Sequence, residues 1–170
     1  MTRITLAQLF ESAISWEGEA REMYLALAEA FAGHPAVRAL WVQMANDEAI
    51  HAALLRQARD ATPVERLAEL LGPLESMHVP SVEAELAAAR EAHLRSLDDA
   101  YELAHRLESS EIATVFELLT VGTFDESSRA RLLANQLDEH LGQLARFAEA
   151  YPRSARLGIV LETPPSWVQP

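Results

Sequence analysis

Apolar residues recur along most of the chain at the i, i+3, i+4, i+7 spacing of amphipathic helices, and they resolve into four long stretches. The first reads Leu6, Phe10, Ala13, Glu17, Ala20, Tyr24, Leu27, Phe31. Thr5-Leu-Ala-Gln8 forms a capping box in front of it, with Ile4 and Leu9 placed as a hydrophobic staple, and Gly33 stands where a terminating glycine belongs. A second helix is predicted from Pro35, a residue suited to a first turn, to about Ala61. The link between them is so short that the two must be antiparallel neighbours. Thr62-Pro-Val-Glu65 reads as another capping box, opening a short helix through Leu71, and Gly72-Pro73 and Val79-Pro80 predict irregular chain around it.

A third helix is expected from Ser81 to about Glu108, with Leu86, Leu97, Tyr101, Ala104 and Leu107 inward and His93 and Leu94 flanking the same stripe. Ser109-Ser110-Glu111 marks a break before a short apolar helix, IATVFELL, and Gly122 and Asp125 mark a turn. The fourth helix then runs to about Tyr151 on the stripe Leu133, Leu137, His140, Leu144, Phe147, Tyr151. From Arg153 onward, Pro164, Pro165 and Pro170 predict an extended tail. The expectation is an all-α four-helix bundle over 1–152, with a long crossover between helices 2 and 3 that carries a short helix, and a separate tail over 153–170. The crossover, roughly twenty residues of connector, is long enough to traverse a bundle.

At 170 residues the chain is the size of one domain, 49% hydrophobic with only 6 glycines, a balance that suits helices. A formal charge of −12 argues against nucleic acid and against an anionic membrane surface. Cysteine is absent, which excludes disulfides, thiolate chemistry and cysteine-ligated zinc or rubredoxin-type iron. No apolar run is long enough to span a bilayer and no signal segment precedes the first helix, so a cytoplasmic location is expected.

Two positions break the apolar stripe of the second helix. Glu48 and His51, three residues apart, share a face with Trp41, Met44 and Leu55. Glu17 interrupts the first helix in the same way, within about 30° of the stripe centre at ~100° per residue. An ionised carboxylate left alone in an apolar interior costs several kcal/mol, on the order of the penalty for one buried ion. Glu11, Glu19 and Glu22 lie off the stripe as solvated charges.

The stretch MANDEAIHAALL, 44–55, also has a counterpart in LANQLDEHLGQL, 133–144. Ala45 matches Ala134, Asn46 matches Asn135, His51 matches His140 and Leu55 matches Leu144, while Glu17 to Tyr24 aligns with Leu94 to Tyr101. Such duplication suggests two related hairpins. On these residues the chain, over about 4–151, resembles the rubrerythrin-like branch of the ferritin-like superfamily. The resemblance implies a ferritin-like bundle in which each hairpin supplies one Glu from its first helix and a Glu-x-x-His from its second, around a di-iron or di-manganese centre. Proteins of this kind oxidise iron, reduce peroxide or store metal. The N-terminal half keeps the full set in Glu17, Glu48 and His51. In the C-terminal half Leu94 and Leu137 stand where glutamates belong, and only His140 remains.

Three readings follow. The preferred one is a single divalent ion held by Glu17, Glu48 and His51 and completed by His140 or His93, iron first, manganese or zinc otherwise, in a redox or metal-handling role. The second is a metal-free scaffold or partner-binding protein, with Arg90 or a shared proton neutralising Glu17 and Glu48. The third is a two-metal oxidase that recruits Glu108 or Glu126, both near the inward direction but more than two turns from the level of the other ligands. Tyr24 and Tyr101 could hydrogen-bond such a site, although packing is their simpler role. Trp167 and IATVFELL add apolar surface that predicts a symmetric homodimer.

Overall fold

The computed structural model describes residues 4–109, 115, 119, 140–161 and 165, with backbone only for 73–77. Helix α1 spans Leu6–Ala30 and α2 spans Pro35–Ala61. The capping box before α1 is present in both directions: Gln8 N donates to Thr5 Oγ1 at 3.2 Å and Thr5 N donates to Gln8 Oε1 at 2.8 Å. Pro35 opens α2, where its missing N–H leaves no gap in the helical ladder.

The crossover departs from the sequence reading. Thr62 caps the end of α2 rather than starting a new helix, because its hydroxyl donates to Ala58 O at 2.8 Å. Helix α3 is a single turn, Val64–Leu67, behind Pro63. Residues 73–80, expected to be irregular, instead begin α4, Pro73–Arg90, which carries Pro80 inside it. Tertiary packing outweighs the lost backbone bond: Val82, Leu86 and Ala89 lie on one face of α4 and are buried in a cluster with Leu9, Phe10 and Ala13 of α1. The crossover also pairs with the N-terminus, Leu6 N donating to Glu69 O at 3.0 Å and Leu71 N to Ile4 O at 2.9 Å.

The expected third helix is two helices. It stops at Arg90, and α5 restarts over Leu97–Glu108. Ser96 and Asp99 form a second reciprocal capping box, with Asp99 Oδ2 also accepting from Arg95 N at 2.9 Å. Helix α6 runs through residues 140–150, and α7, Arg153–Gly158, follows Pro152. The tail is therefore not extended at its start. Its helix breakers lie beyond Gly158, and Arg156 draws α7 onto the head of α5 by pairing with Asp98 at 2.9 Å, while Leu97 N donates to Ile159 O at 2.8 Å. Arg156 also covers the ring of Tyr101 at 4.1 Å.

The core falls into two apolar blocks. One gathers Leu9, Phe10, Ala13, Leu55, Ala58, Leu86, Leu103 and Leu107; the other gathers Tyr24, Leu27, Phe31, Val37, Trp41, Met44, Leu97, Ala104, Leu144 and Phe147. Helices α2 and α5 both pass from the second block to the first, whereas α1 runs the other way and α6 leads into the second block. This up-down-down-up order is what a long crossover between helices 2 and 3 produces. Of the surface invoked for a dimer, Val115 and Leu119 are buried in the first block, and Trp167 lies outside the described residues. The expected turn at Gly122 and Asp125 and the first part of helix 4 lie outside them too.

Asp98 and Arg156 are both almost wholly buried. Removing one partner strands the other charge, so Asp98→Ala should destabilise the protein by about 3–5 kcal/mol in urea unfolding. The double variant Asp98→Leu/Arg156→Met should recover most of that loss.

Candidate metal centre

Between the two apolar blocks lies a layer of ionisable side chains. Glu17 projects from α1, Glu48 and His51 from α2, and His140 from α6, and all four are buried. Placing Glu and His three residues apart on α2 brings His51 Nδ1 to 3.0 Å from Glu48 Oε2, and the same nitrogen is 3.6 Å from Glu17 Oε2. The two imidazoles face each other across the layer, ring centroids 4.9 Å apart and inclined by 36°. Glu48, His51 and His140 each offer a ligand atom within 4.8 Å of the others. The four residues singled out by periodicity and internal repeat thus meet at one level.

A fifth residue joins them that the sequence reading set aside. Glu108, the last residue of α5, brings Oε2 to 2.7 Å from His140 Nδ1, and its Oε1 accepts from Tyr24 OH at 2.5 Å. The sequence reading placed Leu94 at this level by continuing one helix from Ser81. Instead Leu94 lies in the connector between α4 and α5, packed against both apolar blocks. The error concerned level, not face. A restart at Ser96 frees α5 to slide along the bundle, so Glu108, judged inward but two turns away, arrives at the ring. The signal was in the chain as Ser96-Leu-Asp-Asp99, a cap followed by two acids.

Other candidates lie elsewhere. Arg90 pairs with Glu19 on the surface and not with Glu17 or Glu48. His93 is exposed, with Nδ1 3.2 Å from Glu91 O. Tyr101 sits under Arg156, away from the layer. Leu137 and Glu126 fall outside the described residues.

Among the described residues, the ion pairs of Glu17, Glu48 and Glu108 are all with histidine. The electrostatics follow. Burial pushes the Glu48 carboxyl well above the ordinary 4.5, and Glu17 and Glu108 push it further by charge and hydrogen bonding. Burial also raises the Tyr24 phenol, with the neighbouring carboxylates adding to it. For His140 burial works downward, but the hydrogen bond and charge of Glu108, with Asp47 and Glu17, prevail and hold it above 6.5. Burial likewise works against ionised Glu108, yet its bonds to His140 and Tyr24 hold it below 4.5. Without a metal, then, the layer retains protons that a divalent cation would displace. Three oxygen-donor and two nitrogen-donor groups converging in a dry interior suit a divalent ion of the iron, manganese or zinc type.

Fold and site together define an all-α ferritin-like protein with a carboxylate–histidine layer. A family model described as rubrerythrin matches residues 8–141, and the chain belongs to that family. Its structure is similar to a crystal structure of a provisionally assigned ferritin-like diiron-carboxylate protein from Thermotoga maritima, with a TM-score of 0.59 at 17% identity, covering 91% of this chain and 99% of that one. No curated protein matches the sequence. No helix among the described residues is long and apolar enough to cross a membrane.

The protonation pattern fixes a sign. Glu48 and His140 have raised values when folded, so each adds stability below its ordinary value, 4.5 or 6.5, that is lost as pH rises through the raised one. Glu108, lowered, adds stability above 4.5 that is lost only on acidification. In chelator the melting temperature should therefore fall between about pH 6 and pH 9, and the gain on adding Zn(II) should grow over the same range. A chelator-treated protein that grows steadily more stable toward pH 9 would contradict this assignment.

Proposed function

We propose that the protein is a divalent-metal protein, iron first, whose centre is built from Glu17, Glu48, His51, Glu108 and His140 and serves redox or metal-handling chemistry. The observation that carries this reading is the position of Glu48 between two histidines from different helices. Its Oε2 faces His51 at 3.0 Å and its Oε1 faces His140 at 3.8 Å. Glu17 stands beside the first histidine and Glu108 beside the second. Glu17, Glu48 and His51 would hold one ion, and Glu48, Glu108 and His140 a second, with Glu48 shared. The single-ion expectation rested on an apolar residue at the helix 3 position, and Glu108 supports the larger count. Leucine at 137, three residues before His140, leaves one fewer carboxylate than the family pattern.

A bound divalent ion supplies Lewis-acid chemistry and, for iron, electron transfer. The chain's own residues do the rest. Tyr24 steers Glu108 by donating to Oε1, which turns Oε2 toward His140. The apolar blocks above and below exclude water and strengthen every electrostatic contact within the layer. Among the described residues no arginine neutralises these carboxylates, and a metal-free scaffold would have to keep them protonated.

Titration of chelator-stripped protein with Fe(II) under argon should give about two ions per chain, and about one in Glu108→Leu. At a hundredfold excess over Kd, binding should stabilise the fold by about 2.7 kcal/mol, or roughly 5–10 °C in Tm. Glu48→Leu should lose most of that gain. One ion in the wild type would reduce the centre to a single site. No shift with Fe(II), Mn(II) or Zn(II) would overturn the metal reading in favour of the scaffold.

A further inference from the structure

Next to the proposed centre, one buried polar atom lacks a hydrogen-bond partner in a way that bears on how a metal would be held. His140 presents Nδ1 to Glu108 and Glu48, so the face toward the layer is the lone pair a metal would use. A neutral imidazole carries one proton, and a nitrogen that binds a metal cannot keep it. The proton must then sit on Nε2, which is buried and makes no hydrogen bond of good geometry. A buried N–H without an acceptor is costly, on the order of 1–3 kcal/mol. The nearest carboxylate to Nε2 is Asp47, whose Oδ2 lies 3.4 Å away.

Asp47 precedes Glu48 on α2, and a rotation of ~100° per residue turns it toward α6 instead of into the layer. Across from it, His140 and Gln143 lie three apart on one face of α6. Gln143 Nε2 donates to the same Asp47 Oδ2 at 3.2 Å. The amide orientation follows from chemistry, since a carboxylate only accepts and the amide must present its NH2. Gln143 is itself buried, and Asp47 is partly so. One carboxylate oxygen is thereby fixed beside the outer nitrogen of the histidine, on helices far apart in sequence.

We propose that Asp47, oriented by Gln143, is a positioning residue that holds His140 in the Nε2–H tautomer and presents Nδ1 to the metal. The inference rests on the reading of the layer as a metal centre. Outer partners of this kind commonly change metal affinity about 10- to 100-fold when removed. Nothing in the sequence pattern marked either residue, because neither lies on an apolar stripe.

The test uses the full-length protein with Zn(II), which is diamagnetic, and 15N-labelled histidine. In the wild type, NMR should show one histidine with metal-bound Nδ1 and a slowly exchanging, downfield-shifted Nε2–H that disappears in His140→Ala. Asp47→Leu should move that proton upfield, speed its exchange and weaken Zn(II) binding about 10- to 100-fold. Asp47→Asn, which keeps an acceptor oxygen, should recover part of the affinity. If Asp47→Leu melts earlier than the wild type in chelator, Gln143→Leu replaces it. That change frees Asp47 without touching the imidazole and should give a smaller loss of affinity with a faster-exchanging Nε2–H. Wild-type protein that binds no Zn(II) would defeat the metal reading itself. Wild-type binding with unchanged affinity and an unchanged Nε2–H in the variants would overturn the role of Asp47 alone.

Discussion

Everything in this bundle answers to one constraint: three carboxylates and two imidazoles lie in a layer with apolar side chains above and below. Each group would be expensive to bury alone, and the layer is tolerable only because its members face one another. Glu48 sits at the centre, one oxygen toward each histidine. Protons can neutralise part of the charge, as the raised values of Glu48 and His140 indicate. A divalent cation would neutralise it more completely, and the donor types are those such ions take.

The scaffold can be understood as the means of setting that level. Thr5 fixes the start of α1 and hence the height of Glu17. Pro35 fixes the start of α2 and the height of Glu48 and His51. Ser96 does the same for α5, eleven residues before its final turn delivers Glu108. The clasp of Asp98, Arg153 and Arg156 then ties the first turn of α5 to the chain beyond α6. Caps and ion pairs at the ends of helices thus decide which side chains meet at the middle.

Much of this was legible in the sequence. Helices α1 and α2 could be bounded from Thr5, Gly33 and Pro35, and Glu17, Glu48, His51 and His140 could be placed inward by period alone. What periodicity does not report is translation along a helix axis. Glu108 was readable as inward, but its height depends on where α5 begins, and continuing the helix through residues 91–96 put Leu94 in its place. The repeat misled for the same reason, since matching Tyr24 with Tyr101 assumes two unbroken first helices. Pro80 within α4 and the short helix after Pro152 were missed because packing against α1 and the Asp98–Arg156 pair override the local signals. Asp47 and Gln143 carry no period at all, since their role lies in a contact between helices.

The central claim is that α5 delivers Glu108 to a metal centre shared by both hairpins. The most direct test is anomalous diffraction from crystals soaked in Mn(II). Two peaks are predicted, both in contact with Glu48, one beside Glu17 and His51 and the other beside Glu108 and His140. Absence of any peak within the layer, or density that leaves Glu108 without a metal contact, would contradict it.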